Sequence, residues 1–417
     1  MAATSRGGAR STIRHPTRPA SSEPERPAEG ARLFRESEFQ ATFGESLAQT
    51  LDLRTWLPGD DLAQLYQALE AEVTQTVTHE SGLVATIRQR IFPRLATRPN
   101  APRAAGVYRV TLDEIAHAHH AILFNGGVEA ADGISSAHDT LAVTISQVGV
   151  CLVRYFGDSG SWVHRLYWRD LRATIADPVE EALALIEQRQ RGARFAEADR
   201  RARLSRLAQR AILAYAERVI LLEQSEAPWR MGHGNPVALE LLSGAGYMEL
   251  VAAGLRLLER LIGQHRKFLY VPRSTPERGL LTIGHALGPL EYAVIDDMTE
   301  RLLYTIEERA YDKDHLRMVR AFAEEIGPQL LVGVYRVSRA APPQLFYAHR
   351  DHVHEAALIA LADSVLQEHR SFPMLIDLAD TLCRTTFGPT DFNDSVHLAY
   401  LETDQPYQYL SERRPRS

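Results

Sequence analysis

The stretch that most constrains the fold is residues 130–155, which read AADGISSAHDTLAVTISQVGVCLVRY. From Thr140 onwards it is rich in β-branched residues, which favour strands, and residues 147–149 interrupt that run. Before it, the short apolar run 128–131 ends at Asp132–Gly133, a pair typical of tight turns. The pattern predicts a strand, a turn and a bulged strand over residues 140–155. Asp132 is therefore expected at a strand end.

Asp132 has two interpretations. A sheet can direct an acid at a strand end into a cleft, where its charge serves binding or catalysis. Alternatively, the Asp-Gly pair only supplies the backbone freedom of a turn. The stretch by itself favours the turn, because short motifs of this kind recur without function.

The composition indicates an ordinary globular protein. The chain has 417 residues, of which 45% are hydrophobic and 24% charged. Its net charge of −6 does not mark a nucleic-acid binder, but a net value does not exclude a basic groove. Cys151 and Cys383 lack the spacing of a zinc site or a disulfide framework. With no apolar run of membrane-spanning length and no signal peptide, we expect a cytoplasmic protein without a membrane anchor.

Three regions follow from composition and periodicity. Residues 1–31 are rich in Arg, Pro, Ser, Gly and Ala, so we expect a disordered tail. Residues 32–125 have apolar side chains at helical spacing and a capping box at Thr111–Glu114, which predicts an N-terminal helical region. Residues 126–417 are expected to form the main domain.

Within the main domain, a hairpin signal at residues 158–161 predicts a third antiparallel strand over residues 162–168. Later segments alternate between strand and helix patterns, which implies parallel pairing. The predicted helices are 179–189, 197–223, 248–263, 353–369 and 374–387. The predicted strands are 236–242, ended by Ser243–Gly244, then 267–271, 291–296 and 329–337.

This order of elements is that of a ribonuclease H-like fold, an α/β architecture with a mixed sheet flanked by helices. Acids on the first strand, the first long helix, the fourth strand and a late helix converge there on divalent cations. The corresponding positions are Asp132, Glu217 or Glu223, the end of the run 236–243, and Asp380 or Asp377.

Four segments also carry a family resemblance, because their order and spacing are similar to those of NurA-type nucleases. The segments are AADGI at 130–134, ILAYAERVILLE at 212–223, ALELLSGAG at 238–246 and FPMLIDLAD at 372–380. The resemblance spans residue 126 to the C-terminus. It implies a DNA nuclease that uses Mn²⁺ or Mg²⁺, forms a homodimer and acts with a HerA-like hexameric ATPase in DNA end processing or phage defence.

Two positions match the family pattern, and two depart from it. Asp132 matches the first-strand acid and Glu217 the helix acid, although Glu217 also suits the solvated face of a plain amphipathic helix. Ser243 stands where the family has an Asp, and a serine hydroxyl is a weak, neutral ligand. Glu240 is the nearest replacement, although strand alternation would face it away from Ser243.

Asp380 takes the place of a histidine that the family's late helix usually offers. Its carboxylate is expected to restore the charge that Ser243 lacks, in which case it is a catalytic residue and a metal ligand. The alternative is a surface acid of the helix without a role.

The candidate DNA contacts flank the fifth predicted strand and follow a later one. Arg266, Lys267 and Arg273 are expected to meet the scissile phosphate, or else they are ordinary rim charges. His349 joins them if the strand before it ends at the cleft. The same segment also fits a polar loop that leads into the helix 353–369.

Two functions stay open at this point. One is an active metal-dependent deoxyribonuclease that hydrolyses phosphodiester bonds. The other is a catalytically degenerate, NurA-like dimeric adaptor for a translocase, indicated by Ser243. A guide-dependent ribonuclease H-like enzyme is a more distant alternative, since no guide-binding domain is evident.

Overall fold

The structure is a computed structural model that describes residues 35–56, 62–139, 143–157, 160–170, 186, 193–274, 277–307 and 311–403. The predicted tail 1–31, the start of the hairpin signal at 158–159 and nearly all of the predicted helix 179–189 lie outside these residues. A boundary between two compact units falls between Thr78 and His79, and the sheet belongs to the second unit.

Nine strands form this sheet. They are β1 Gly106–Arg109, β2 Val128–Asp139, β3 Val143–Val153, β4 Gly160–Asp170, β5 Trp229–His233, β6 Phe268–Val271, β7 Glu291–Asp297, β8 Leu330–Arg336 and β9 Gln344–His349. Their spatial order is β1-β7-β8-β9-β6-β5-β2-β3-β4. Because β1 pairs with β7, the sheet already begins inside the predicted helical region 32–125.

Fourteen α-helices occur in the described ranges. They are α1 Glu36–Phe43, α2 Leu47–Leu51, α3 Leu62–Arg90, α4 Phe92–Thr97, α5 Leu112–Ala118, α6 Ala193–Glu223, α7 Leu239–Ser243, α8 Met248–Leu258, α9 Arg278–His285, α10 Thr299–Glu307, α11 Lys313–Ile326, α12 Val353–Val365, α13 Met374–Phe387 and α14 Pro389–Glu402. Short 3₁₀ segments lie at Leu53–Thr55, Gly244–Gly246 and Gly327–Gln329, and π-helical turns at His119–Leu123 and Glu259–His265 extend α5 and α8. No helix in this part of the chain is long and apolar enough to cross a membrane.

The predicted mixed α/β architecture is confirmed. Strands β2, β3 and β4 pair antiparallel. β5 pairs parallel with both β2 and β6, and α8 lies between β5 and β6 in the chain. The capping box at Thr111–Glu114 is also present and begins α5.

Two local predictions are wrong. The turn at Asp132–Gly133 does not form, because β2 runs through it and stays paired with β3 from Ala130 to Asp139. The predicted strand 236–242 is also absent, since α7 occupies Leu239–Ser243. A short apolar run does not distinguish a buried strand from a buried helical turn, and here Leu241 and Leu242 pack as a helical turn. The true strand is β5, whose Arg230 and His233 weaken its apolar pattern.

Hydrophobic cores cover both faces of the sheet. On one face the core contains side chains of α6, α7, α8, α9, α10 and α11, and on the other it contains those of α5, α12 and α13. We call these the α6 face and the α13 face. Ala131 belongs to the first core and Ala130 to the second. Since side chains alternate along a strand, Asp132 lies on the α13 face and Gly133 on the α6 face.

A buried acid anchors α13 to the sheet. Asp363 of α12 is fully buried and accepts hydrogen bonds from the Tyr155 hydroxyl at 2.5 Å and from the Leu375 amide at 2.9 Å. Burial raises its pKa to about 6, although both hydrogen bonds oppose that shift. Asp363 therefore connects α12, the N-terminus of α13 and the end of β3.

Replacing Asp363 with alanine is expected to destabilise the protein by roughly 2–4 kcal/mol, because a buried amide and a partly buried hydroxyl lose their acceptor. Asp363→Asn should cost less, since its amide oxygen still accepts a hydrogen bond. Urea unfolding at pH 7 measures both variants, with the exposed Asp391→Ala on α14 as control. Equal stability of Asp363→Ala and the control would contradict the anchoring role.

Candidate active site

The parallel pairing of three neighbouring strands stops at the same edge of the sheet, where β5 and β6 end and β2 continues without a parallel partner. The pairing of β2 with β5 ends at Ala131 opposite Gly232, and β5 with β6 ends at His233 opposite Val271. Asp132 follows Ala131, and Arg273 comes two residues after β6. In open sheets, the carboxyl ends of parallel strands are where ligands bind. Asp132, His233 and Arg273 thus share the edge where a site is expected.

The Gly133 amide brings two carboxylates together at this edge. Its N–H donates to Asp132 Oδ1 at 3.0 Å and also hydrogen-bonds the Glu217 carboxylate. Glu217 comes from α6 and packs so close to Gly133 that a Cβ there would lie 2.9 Å from its Cγ. The absence of a side chain at Gly133 is therefore what lets Glu217 approach Asp132.

Both acids resist ionisation. Burial raises the pKa of Asp132 to about 7, and nearby Asp380 adds to the shift. Burial also raises the pKa of Glu217 to about 8; Arg218 opposes this shift, whereas Asp132 and Glu240 increase it. The Asp132 side chain is 6% exposed and that of Glu217 21%. A positive charge added between them would favour the ionised forms.

Asp380 and Arg273 complete the α13 face of the site. Arg273 Nη2 lies 2.7 Å from Asp380 Oδ2 and 3.3 Å from Asp377 Oδ1, and Arg384 Nε lies 2.7 Å from Asp380 Oδ1. Burial raises the pKa of Asp380, but hydrogen bonds from Arg384 and Arg273 outweigh it, so the pKa lies below its usual value. Asp380 is thus an ionised acid with two arginine partners that also interacts with Asp132.

Glu240 lies on the α6 face, where its charge raises the pKa of Glu217. An open cleft of about 600 Å³ contains Glu217, Glu240, Arg218 and His233 in its walls. Arg218 is buried and donates to the carbonyls of Ala214, Asn235 and Pro236 at 2.6–2.7 Å. It therefore holds the segment after β5 against α6, and it lies 3.5 Å from Glu217 Oε2.

Two of these residues were not identified from the sequence. Arg218 has no sequence signal that sets it apart, and only its burial shows that it supports the site. His233 was missed together with β5. A His-Gly pair at the end of a short strand was the available signal, but the apolar run after it attracted the strand assignment.

Arg266, Lys267 and His349 lie away from the acids. Arg266 and Lys267 precede β6, whereas Arg273 follows it, so the length of the strand separates them. His349 ends β9, which runs antiparallel to β6, and so lies at the Arg266 end. It is buried, and its Nδ1 accepts the amide N–H of Asp351 at 3.1 Å. Arg266 also pairs with Asp351, at 3.5 Å.

Ser243 is not at a strand end. It is the last residue of α7, and the left-handed Gly244 caps the helix. Its hydroxyl faces its own helix, 3.4 Å from the carbonyl oxygen of Glu240. The strand that precedes it is β5, which ends at His233, ten residues before Ser243.

The donor set fits a divalent cation with oxygen ligands. Among the described residues, no three His, Cys, Asp or Glu side chains are grouped as metal ligands would be. One or two carboxylates suffice for Mg²⁺, which takes its other ligands from water and substrate phosphate. Asp132 and Glu217 supply such carboxylates, and burial raises the pKa of both, so a bound cation would favour their ionised forms.

Replacing Gly133 with alanine is expected to separate the two acids. The new Cβ would lie 2.7 Å from Leu213 Cδ1 and 2.9 Å from Glu217 Oε1, so the side chains of Leu213 and Glu217 must move. We expect a stability loss of about 1–3 kcal/mol, together with weaker Mn²⁺ binding. Urea unfolding and calorimetry measure these effects. Gly279→Ala is the control because no atom lies within 4 Å of its Cβ; the same result for both variants would contradict the close approach.

No protein-family model matches the chain, and no curated protein matches it. Solved structures of NurA are similar to it. The NurA nuclease from Sulfolobus solfataricus is 10% identical, with a TM-score of 0.40 over 84% of this chain and 99% of that one. NurA bound to dAMP and manganese is 9% identical, with a TM-score of 0.42 over 78% of this chain and 93% of that one. NurA with manganese is 8% identical, with a TM-score of 0.39 over 83% of this chain and 100% of that one. Across most of its length, the chain thus has a structural match to NurA nucleases at low sequence identity.

Proposed function

We propose that the protein is a divalent-metal-dependent deoxyribonuclease that hydrolyses phosphodiester bonds. The observation that supports this most directly is the convergence of Asp132 and Glu217 on the Gly133 amide, where the parallel pairing of β2, β5 and β6 stops. Holding two acids this close together with little solvent around them is costly for folding, and a site for cations accounts for their retention.

Each residue has a role in this proposal. Asp132 and Glu217 hold Mn²⁺ or Mg²⁺, and Glu240 supplements their charge from the cleft wall. When bound, a divalent cation would polarise a phosphodiester and lower the pKa of water. Asp380 is the third catalytic acid, since it interacts with Asp132 and orients Arg273. Arg273 is the cation best placed to contact the scissile phosphate, because it is the one DNA-binding candidate beside the acids.

The proposed partners are DNA, a second copy of the chain and a HerA-like hexameric ATPase. One stripe of α3 supports the homodimer, because large apolar side chains recur there at helical spacing and are 42–62% exposed. They are Leu62, Leu65, Tyr66, Leu69, Val73 and Val77. Light scattering of the full chain tests self-association. The ATPase partner, and a role in DNA repair or antiphage defence, rest on the sequence resemblance.

A catalytically degenerate adaptor is the second candidate. Its support is that Asp380 is already neutralised by Arg273 and Arg384, which leaves fewer acids for cations. An adaptor would bind its translocase with or without metal.

Cleavage of DNA by the purified full-length protein separates the two candidates. Linear single-stranded and double-stranded DNA are incubated with Mn²⁺ or Mg²⁺, with chelator as the control, and with the neighbouring-gene ATPase where one exists. The nuclease proposal expects cleavage that chelator abolishes. If the protein neither cleaves DNA nor binds Mn²⁺ under these conditions, the nuclease proposal fails and the adaptor remains.

A further inference from the structure

His233 and Asp132 are neighbours on the same face of the sheet. Ala131 lies opposite Gly232 in the parallel pairing of β2 and β5, so the next residues along the two strands are Asp132 and His233. Adjacent strands are about 4.8 Å apart. Tyr270 covers Gly232 on the α6 face, where a Cβ would lie 2.3 Å from its ring. Alternation then directs His233 to the α13 face, with Asp132.

Contacts on the α13 face agree with this placement. The His233 ring meets the Phe372 ring edge to face at 6.3 Å, and the Arg273 guanidinium packs over the same phenyl ring at 5.8 Å. Arg273 in turn pairs with Asp380. His233 is therefore enclosed by the groups that surround Asp132, with its ring orientation limited by Phe372.

The imidazole has no hydrogen-bond partner among the residues that the structure describes, although it is half-buried. Neither ring nitrogen is among the buried atoms that lack a hydrogen-bond partner, so the imidazole is open to solvent and can bind a ligand from outside the chain. His315 shows the contrast, because its buried Nε2 bonds the Leu242 carbonyl oxygen at 2.8 Å.

We propose that His233 is a nitrogen ligand of the divalent cation, which makes this site a carboxylate and imidazole site and not an all-carboxylate one. The inference rests on the proposed function, which places a cation at Asp132 and Glu217. Imidazole is a better ligand for transition-metal ions than for Mg²⁺, which takes oxygen ligands. His233 therefore disfavours Mg²⁺ relative to transition-metal ions, of which Mn²⁺ is the one tested below.

Mn²⁺ titrated into the metal-free, full-length protein tests this without any measurement of cleavage. Pulsed electron paramagnetic resonance of bound Mn²⁺ detects coupling to a ligand nitrogen, and calorimetry measures affinity. Wild type should show the nitrogen coupling. His233→Ala should lose it and bind Mn²⁺ roughly 10-fold or more weakly. His233→Asp should lose the coupling, keep Mn²⁺ binding and bind Mg²⁺ more tightly than wild type. The exposed His120→Ala should behave as wild type.

The outcomes separate this inference from the proposed function. Mn²⁺ bound by wild type without nitrogen coupling, or coupling that persists in His233→Ala, overturns the role of His233 and leaves the nuclease proposal standing. Nitrogen coupling without DNA cleavage supports His233 as a ligand while the nuclease proposal fails. Absence of Mn²⁺ binding by wild type overturns both. Because the decisive spectrum is that of wild type, a folding defect in a variant does not rescue the proposal.

Discussion

Replacing Asp132 with asparagine is expected to lower the rate of Mn²⁺-dependent DNA cleavage by at least about a hundredfold. The amide is isosteric with the carboxyl group, so it fits the same place on β2. It removes the charge that, with Glu217, would hold the cation. The pKa of about 7 also means that the site already accommodates a neutral side chain at position 132, so folding should be intact.

Single-turnover cleavage of linear DNA at saturating Mn²⁺ measures this effect, with circular dichroism to verify folding. The matched control is Asp113→Asn, which alters an exposed acid in the first turn of α5. Wild-type cleavage by Asp132→Asn would contradict a catalytic role for Asp132. A comparable loss in the control would instead indicate a general effect of charge on DNA binding.

Affinity for Mn²⁺ is expected to rise steeply with pH, because both acids must lose their protons to bind the cation. The pKa of Asp132, which lies beside Asp380 and Arg273, is about 7, and that of Glu217, beside Arg218 and Glu240, is about 8. At a pH below both values, binding of Mn²⁺ releases two protons. Affinity should therefore increase on the order of 10- to 100-fold between pH 6 and pH 7, and level off above about pH 8.5.

The same pKa values predict the stability of the metal-free protein. The ordinary values of the two acids are 3.8 and 4.5, so the folded protein retains protons that the unfolded chain has released. The stability that the two acids contribute is complete below about pH 4 and is lost as the pH rises towards 8. Asp132→Asn has no proton to lose at this position, so it should be more stable than wild type at pH 8 by about 1–3 kcal/mol.

Calorimetry at several pH values tests the affinity, and urea unfolding with chelator at pH 5 and pH 8 tests the stability. A flat dependence of Mn²⁺ affinity on pH would contradict the raised pKa values. So would a wild type that gains stability over Asp132→Asn between pH 5 and pH 8. Added Mn²⁺ should stabilise wild type at pH 8 and leave Asp132→Asn nearly unchanged.

Patterns that depend on neighbouring residues were predictable from the sequence. Helix α13 has the predicted bounds Met374–Phe387, because its apolar residues recur at helical spacing. The capping box at Thr111 correctly located the start of α5. Strands β4, β6, β7 and β8 follow β-branched or apolar runs and were predicted within a few residues. The order of these elements was then sufficient for the mixed α/β class.

The arrangement of the site was less accessible. Asp132 was singled out, but as the end of a strand that in fact continues to Asp139. Glu217 and Asp380 were placed by analogy and Arg273 as a cation that flanks a predicted strand, and the structure brings all three near Asp132. Arg266, Lys267 and His349 were grouped with them because they flank the same predicted strands. Which end of a strand a residue lies at depends on its neighbours in the sheet.

The sequence by itself thus determined several helices, most strands, the fold class and the acid on β2, since these depend on local periodicity. Only the tertiary structure decided that β2 has no β5 partner beyond Ala131, that Gly133 admits Glu217, and that β5 ends at His233. The physical reason is that register and helix packing arise from contacts between segments far apart in the chain. A one-residue difference in register would turn Asp132 and His233 to the other face, which no local pattern records.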